Sequence, residues 1–362
     1  MILCFGEIML RLAPEGNLRI RQVLPGRLDA TFAGSEANVA ASLALLGQQA
    51  RYVTALPDNA LGENVMIQLR GLGVDVDSCV RTEEGRLGIF FIETGANQRS
   101  SVVIYDREHS SISLTSPHAY AFEKSMEGVS WVHLSGITPA LSEQAFQSTL
   151  ALARMAREQG ANVSCDLNFR NKLWRWKPGV SAGELARECM TTILPHVTLL
   201  VANEEDAKDV LGIEAEGVSV EEGKINAQAY EEVARKIFDR FSNIRSVAIT
   251  LRESLSAHHN NWGAMLFDAD AERAFLAPLD SDGEYTPYQI GNIVDRVGAG
   301  DSFAAGLIHA LNSTKHADPE KALRFAVASS CLCHSIKGDF NLISEQEVES
   351  LVKGFASGRV RR

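Results

Sequence analysis

The chain has 362 residues, 45% of them hydrophobic and 22% charged, the balance of a globular protein with a sizeable core. A formal net charge of -11 argues against nucleic acid as the main partner, because binding a phosphate backbone needs a basic footprint. A small anionic substrate stays open, since a few local arginines can hold one inside an acidic protein. The six cysteines (Cys4, Cys79, Cys165, Cys189, Cys331 and Cys333) are scattered and form no C-x-x-C pair, so they read as reduced, mostly buried thiols. The opening "MILCFGEIML" lacks a basic n-region and meets Glu7 at once, and no uninterrupted apolar stretch reaches membrane-spanning length. The expectation is a cytoplasmic protein with no membrane partner.

In chain order, "MILCFGEIML" predicts a short buried strand, and 11–34 reads as loop with short exposed strands. "SEANVAASLALLG" (35–47) has helical spacing, with Ser35 as expected N-cap and Gly47 as the stop. Strand "ARYVTALP" (50–57) and helix 61–73 follow, an alternation that favours βαβ units and a parallel sheet. The segment 86–112 interrupts it with two β-rich runs, "GIFFIE" and "SVVIYDR", around a "TGANQ" turn: a hairpin that with 11–33 forms a small separate sheet. Alternation resumes through helices 142–159, 181–194, 204–211 and 229–241 and the strands between them, up to "SVAITL" (246–251). The acidic stretch 212–228 reads as an inserted surface loop. Runs "WGAMLFD" and "RAFLAPL" are β-like, helices are expected at about 301–312 and 319–335, and the final "GRVRR" reads as a solvated tail.

Gly298-Ala299-Gly300-Asp301 carries the strongest local signal. Two glycines let the backbone aim its amides at one point and form an anion-binding concavity. A helix behind it adds unpaired N–H groups and the positive end of its dipole, which favour a phosphate. Asp301 stands where that helix is expected to begin, and the plainer reading is a capping Asp behind a glycine turn. A dinucleotide fingerprint fits worse, because "GAGDSF" ends on Phe303 and no full βαβ unit follows. "GVSVEEGKI" (217–225) has the wrong spacing for a Walker A loop and no Ser or Thr after Lys224. His258-His259 lacks a nearby third ligand, and the tryptophans of "NKLWRWKP" (171–178) read as packing.

Taken together, these stretches resemble the ribokinase-like (PfkB) sugar kinases. "CFGEIMLRL" is similar to that family's first strand, "FAGSEANVAASLALLG" to its glycine/asparagine motif, "ANEEDA" to its N-x-x-E segment and "DRVGAGDSFAAGL" to its C-terminal signature. Within the family, "GEIMLRL", "VIYDR", "DLNFR" and "ITLRES" resemble the 2-keto-3-deoxygluconate kinase branch, with fructokinase or another sugar kinase of the fold as the alternative. The resemblance implies a single α/β kinase domain over residues 1–362. Its central, mostly parallel sheet is flanked by helices and covered by a β lid from about 11–33 and 86–112. It also implies ATP-dependent phosphorylation of a sugar acid's terminal hydroxyl. The lid's open edges suggest a homodimer.

By position, the resemblance makes Asp301 the catalytic base and Gly298, Ala299 and Gly300 the anion hole for the transferring phosphoryl group. Gly34, Asn38, Phe90, Tyr105, Arg107 and Arg170 fall to the substrate, and an arginine's planar fork suits a carboxylate. Tyr105 and Arg107, two apart on a strand, share a face. Asn203, Asp206, Thr250 and Arg252 fall to the nucleotide and its Mg²⁺, although Asn203 and Asp206 also read as plain helix caps. Asp295 stands beside a monovalent cation such as K⁺. The chain departs from the pattern at Phe90 (often Tyr), Asp206 (usually Glu) and Ser35 (often a second Gly), and "TLRES" lacks the glycine that often follows "TL".

Overall fold

Residues that are apolar without alternation, such as Ile2, Leu3, Cys4 and Phe5, have no solvent-facing side, and strands built from them are buried on both faces. The computed structural model, which describes residues 1–203, 205–214 and 227–355, shows how they are covered. In the first third of the chain lie β1 (Ile2–Phe5), β2 (Met9–Ala13), β3 (Asp29–Ala33), β4 (Ala50–Val53), β5 (Ala55–Pro57), β6 (Val80–Thr82), β7 (Gly88–Glu93) and β8 (Val102–Asp106). Then come β9 (Trp131–Ser135), β10 (Asn162–Asp166), β11 (Leu199–Asn203), β12 (Ser246–Ser256), β13 (His259–Asp268), β14 (Arg273–Ala277) and β15 (Tyr288–Ile290).

The large sheet runs β14-β13-β12-β11-β10-β9-β1-β4, with β15 paired to β13. Strands β4 to β12 along that path are parallel, and β13, β14 and β15 are antiparallel. The strand order reverses between β1 and β9, and in open α/β sheets the crevice at such a reversal, beyond the strands' carboxyl ends, is where ligands bind. Two apolar clusters sit on the sheet's two sides, one including helices Glu143–Glu158 and Ala182–Ile193, the other helices Ser35–Leu45 and Ala299–Leu311.

The lid is a four-stranded sheet, β3-β2-β7-β8, with Glu93 opposite Val102 in the expected hairpin. Its inner face carries Met9, Ala33, Phe90 and Ile92 in a small core of their own. The turn of the hairpin reaches the β12–β13 turn, where Ala257 N–H donates to the Asn97 carbonyl at 2.7 Å.

Several expectations are corrected. Residues 50–57 are split between two sheets, β4 and β5, the latter paired with β6. Strand β12 continues five residues past Leu251 as half of a long hairpin, and the helix expected over 204–211 is only a π-helical turn, Ala207–Leu211. Gly34, not Ser35, is the cap position of the helix Ser35–Leu45, and the helix expected from about 301 starts at Ala299 behind Gly298, so Asp301 is its third residue. A helix at Glu345–Val352 was not expected, although Ser344 and Glu347 form its capping box. Trp174 is fully buried and Trp176 stacks on Phe146, as packing predicts. Residues 215–226, including the Walker-like stretch and most of the acidic insertion, and the tail 356–362 lie outside the described residues.

Candidate active site

One cavity of about 440 Å³ opens between the lid, the carboxyl ends of β10, β11 and β12, and the start of the helix Ala299–Leu311. On the substrate side the structure brings together Gly34, Asn38, Phe90, Tyr105, Arg107 and Arg170. Asn203, Asp206, Thr250 and Arg252 line it from the sheet, and residues 298–301 close it. Asp295 alone among the expected site residues is not part of that lining.

Asp301 is buried, and both its oxygens are held. Ser35 Oγ donates to Oδ1 and Asn38 Nδ2 to Oδ2, each at 2.7 Å. Those two donors come from the first turn of a helix that starts at Gly34, where a Cβ would run into the backbone of Glu7 and Ile8. The glycine therefore lets that helix start sit against the connection between β1 and β2. Burial raises the Asp301 pKa above the ordinary carboxylate value, partly offset by the bonds from Ser35 and Asn38 and by the charge of Arg170. At the other side of the turn, Gly298 has φ of 85° and packs on the Asp339 carbonyl.

Asn203 and Asp206 cap one another. The Asp206 carboxylate accepts the Asn203 and Phe169 N–H groups at 3.1 Å each, and Asn203 Oδ1 accepts the N–H groups of Glu205 and Asp206. Both residues thus fix the β11 loop and also face the cavity. Asp166, at the end of β10, was missed as a candidate. Burial, and then Asp206 and Asp301, push its pKa well above the usual range. Asn168, in the same "DLNFR" motif, donates to Ser35 Oγ at 3.2 Å from a left-handed backbone with φ of 40°. The carboxylates of Asp166, Asp206 and Asp301 in this cavity are hard oxygen donors that a divalent cation accompanied by phosphates can satisfy.

The two arginines are held differently, and only Arg107 departs from expectation. Arg107 lines the cavity and lies over the Tyr105 ring, but its Nε and Nη2 donate to Glu7 Oε2, and both partners are buried. Its charge is largely committed. Arg170 is exposed at the cavity wall and donates to the Phe169 carbonyl, and among the described residues no carboxylate pairs with it. The second difference concerns Asp295. Both its oxygens are occupied by protein donors, one of them Arg11 of the lid, at the point where the family resemblance implies a monovalent cation. The carboxylate does not fit K⁺ as a further ligand.

The sequence pattern of the pfkB family carbohydrate kinases matches residues 1–251 and 257–345. This chain belongs to the PfkB family. It is a sugar kinase, a phosphotransferase, with the ribokinase-like fold expected of PfkB proteins. The crystal structure of 2-dehydro-3-deoxygluconokinase from Thermotoga maritima superposes with a TM-score of 0.87 at 42% identity, covering 98% of this chain and 99% of that one. The 2-dehydro-3-deoxygalactonokinase of Haloferax volcanii is 29% identical over 99% of this chain and 98% of its own length. For the 2-dehydro-3-deoxygluconokinase of Thermoproteus tenax the identity is 27%, over 96% of each. Among the described residues of this PfkB chain no helix is long and apolar enough to cross a membrane.

Proposed function

We propose that the chain transfers the γ-phosphoryl group of ATP to the terminal hydroxyl of 2-keto-3-deoxygluconate (2-dehydro-3-deoxygluconate) or its galactonate-derived epimer. Asp301 takes the hydroxyl proton as the oxygen attacks phosphorus and the bond to the ADP oxygen breaks. The amides at 298–300 and the helix behind them neutralise the migrating group, so the protein's part is alignment and charge stabilisation. Asp206 and Asp166 would hold Mg²⁺, which would offset phosphate charge when bound with the nucleotide. Thr250 and Arg252 face the nucleotide from β12. Closure of the lid excludes water, which competes with the sugar as acceptor. The six free cysteines suit the reducing cytoplasm.

The observation that carries the sugar-acid reading is Arg170, a guanidinium exposed at the cavity wall that forms no ion pair among the described residues. Purified protein assayed with ATP should turn over the two keto acids faster than fructose; faster fructose turnover would make fructokinase the better reading. Arg170→Ala should raise KM for the acid about tenfold or more and leave the KM for a neutral sugar unchanged, as loss of one charge-assisted bond predicts. Arg107→Ala should behave differently. It strands the buried Glu7 carboxylate and should cost about 3 kcal/mol of stability, read by urea unfolding, before any change in specificity.

The lid's outer face supports a homodimer. Leu10, Leu12, Ile89 and Phe91 are half-buried there and Val102 and Ile104 exposed, an apolar surface that a second copy would cover. Ile104→Asp should convert a dimer into a monomer in sedimentation at micromolar concentration; a monomeric parent chain removes the dimer from this reading.

A further inference from the structure

Arg11 extends from β2 of the lid and is 4% exposed. Its Nη2 donates to Asp295 Oδ2 at 2.6 Å and its Nη1 to Asp339 Oδ1. The rest of Asp295 is equally engaged. Its Oδ1 accepts the N–H groups of Arg296 at 2.8 Å and Val297 at 3.2 Å, and its Oδ2 also accepts Gly338 N–H at 3.2 Å. A carboxylate offers about four lone-pair positions, and all four have a donor here. Asp339 in turn supplies the carbonyl on which Gly298 packs. One guanidinium therefore ties together both segments that shape the 295–300 turn, and it reaches them from a separate sheet.

The charges make the same point. Two buried carboxylates beside a phosphate-binding turn would repel an incoming triphosphate and would need a cation between them. A guanidinium supplies that charge permanently, since it does not deprotonate in a protein, and its planar fork serves two acids at once. Burial holds the Asp339 pKa up at about 7 even so, which lessens the negative charge that the guanidinium has to offset.

We propose that Arg11 is the resident counter-cation and positioning residue of the phosphoryl-binding turn, so that turnover by this chain needs no monovalent metal ion. The inference rests on the reading of residues 298–301 as the transfer site. It also couples lid to turn: a lid lifted off the sheet withdraws the charge that orders the anion hole.

The test compares the full-length protein in K⁺, NH₄⁺ and tetramethylammonium buffers. Wild-type kcat and melting temperature should agree within about twofold and within error, respectively, in all three. Arg11→Met should lose about a hundredfold in kcat, the loss expected when catalytic groups move by about 1 Å. Adding K⁺ or guanidinium should restore at least a tenth of it, and K⁺ should raise the variant's melting temperature but not the parent's. Arg11→Lys, which keeps the charge and loses the fork, should fall between. Wild-type turnover raised tenfold by K⁺ overturns the proposal, as does a folded Arg11→Met protein with normal kcat or one that no cation rescues. If Arg11→Met does not fold, the wild-type cation series and Arg11→Lys decide. Asp301→Asn is run alongside: retained turnover there condemns the transfer site itself, whereas its loss together with a K⁺-activated parent condemns only the role of Arg11.

Discussion

Asp301→Asn is expected to lower kcat by about 10²–10⁴-fold, the usual contribution of a positioned general base, while ATP affinity measured by calorimetry stays close to that of the parent. The amide keeps the local geometry. Its oxygen can accept from Asn38 Nδ2 and its NH₂ can donate to Ser35 Oγ, whose own hydrogen, at a half-buried position, turns to solvent. Stability should move the opposite way. The folded-state pKa of Asp301 lies above its unfolded value, so between the two values the native state binds more protons and unfolding free energy falls as pH rises. A neutral side chain removes that penalty, and the variant should melt no lower than the parent at pH 7. The same shift predicts the pH profile. The base works deprotonated, so activity falls as pH drops, and the fall begins at a higher pH than an ordinary carboxylate would give. Arg170→Ala removes a positive charge that opposes the shift, and it should move this acid limb further up. Asp166 is raised more strongly and faces Asp301, so the limb belongs to the pair rather than to either group. Undiminished kcat in Asp301→Asn would mean that another group takes the proton.

What could be read from the sequence follows the range of the interactions involved. Strand β1 was legible because its four residues are all apolar, and the lid hairpin because two β-rich runs flank a polar turn. Asp301 was legible because the turn, the acid and the helix behind it are contiguous. Residues that act by meeting distant partners were not. Ser35 has the side chain of a good N-cap, yet its hydroxyl is spent on an acid 266 positions away. Arg107 carries the right charge for a sugar acid, but Glu7, 100 positions away, holds it. Arg11 and Asp339 are 328 positions apart, and no local pattern marks either. Periodicity and capping report on a few turns of chain, whereas the charge balance of a buried site is fixed only when the lid and the two halves of the sheet meet. The helix Glu345–Val352 is a different kind of miss, because its Ser344 and Glu347 capping signal was present in the sequence.

Gly298→Ala should damage both stability and turnover, and the comparison with Gly300→Ala separates the two causes. Gly298 is left-handed at φ of 85°, where a Cβ costs about 1–2 kcal/mol, and that Cβ would lie 2.5 Å from the Asp339 carbonyl oxygen. Backbone cannot swing aside as a side-chain tip can, so overpacking adds about 1–3 kcal/mol. Relief can come only by moving residues 338–339 or the turn itself, and either motion disturbs the amides at 298–300 and the bond from Arg11 to Asp339. The variant is therefore expected to lose at least about 2 kcal/mol in urea unfolding and about a hundredfold in kcat. Gly300 differs in every respect that matters. It sits inside the helix at an ordinary φ, and a Cβ there would meet nothing within 4 Å. Gly300→Ala should fold with unchanged or slightly raised stability, as alanine for glycine within a helix does. Whatever it loses should appear in the KM for ATP or in kcat, because the new methyl projects into open space beside the phosphate site. Equal destabilisation in both variants would mean that the turn tolerates no side chain at all. A fully active Gly298→Ala would mean that the left-handed turn does not shape the anion hole.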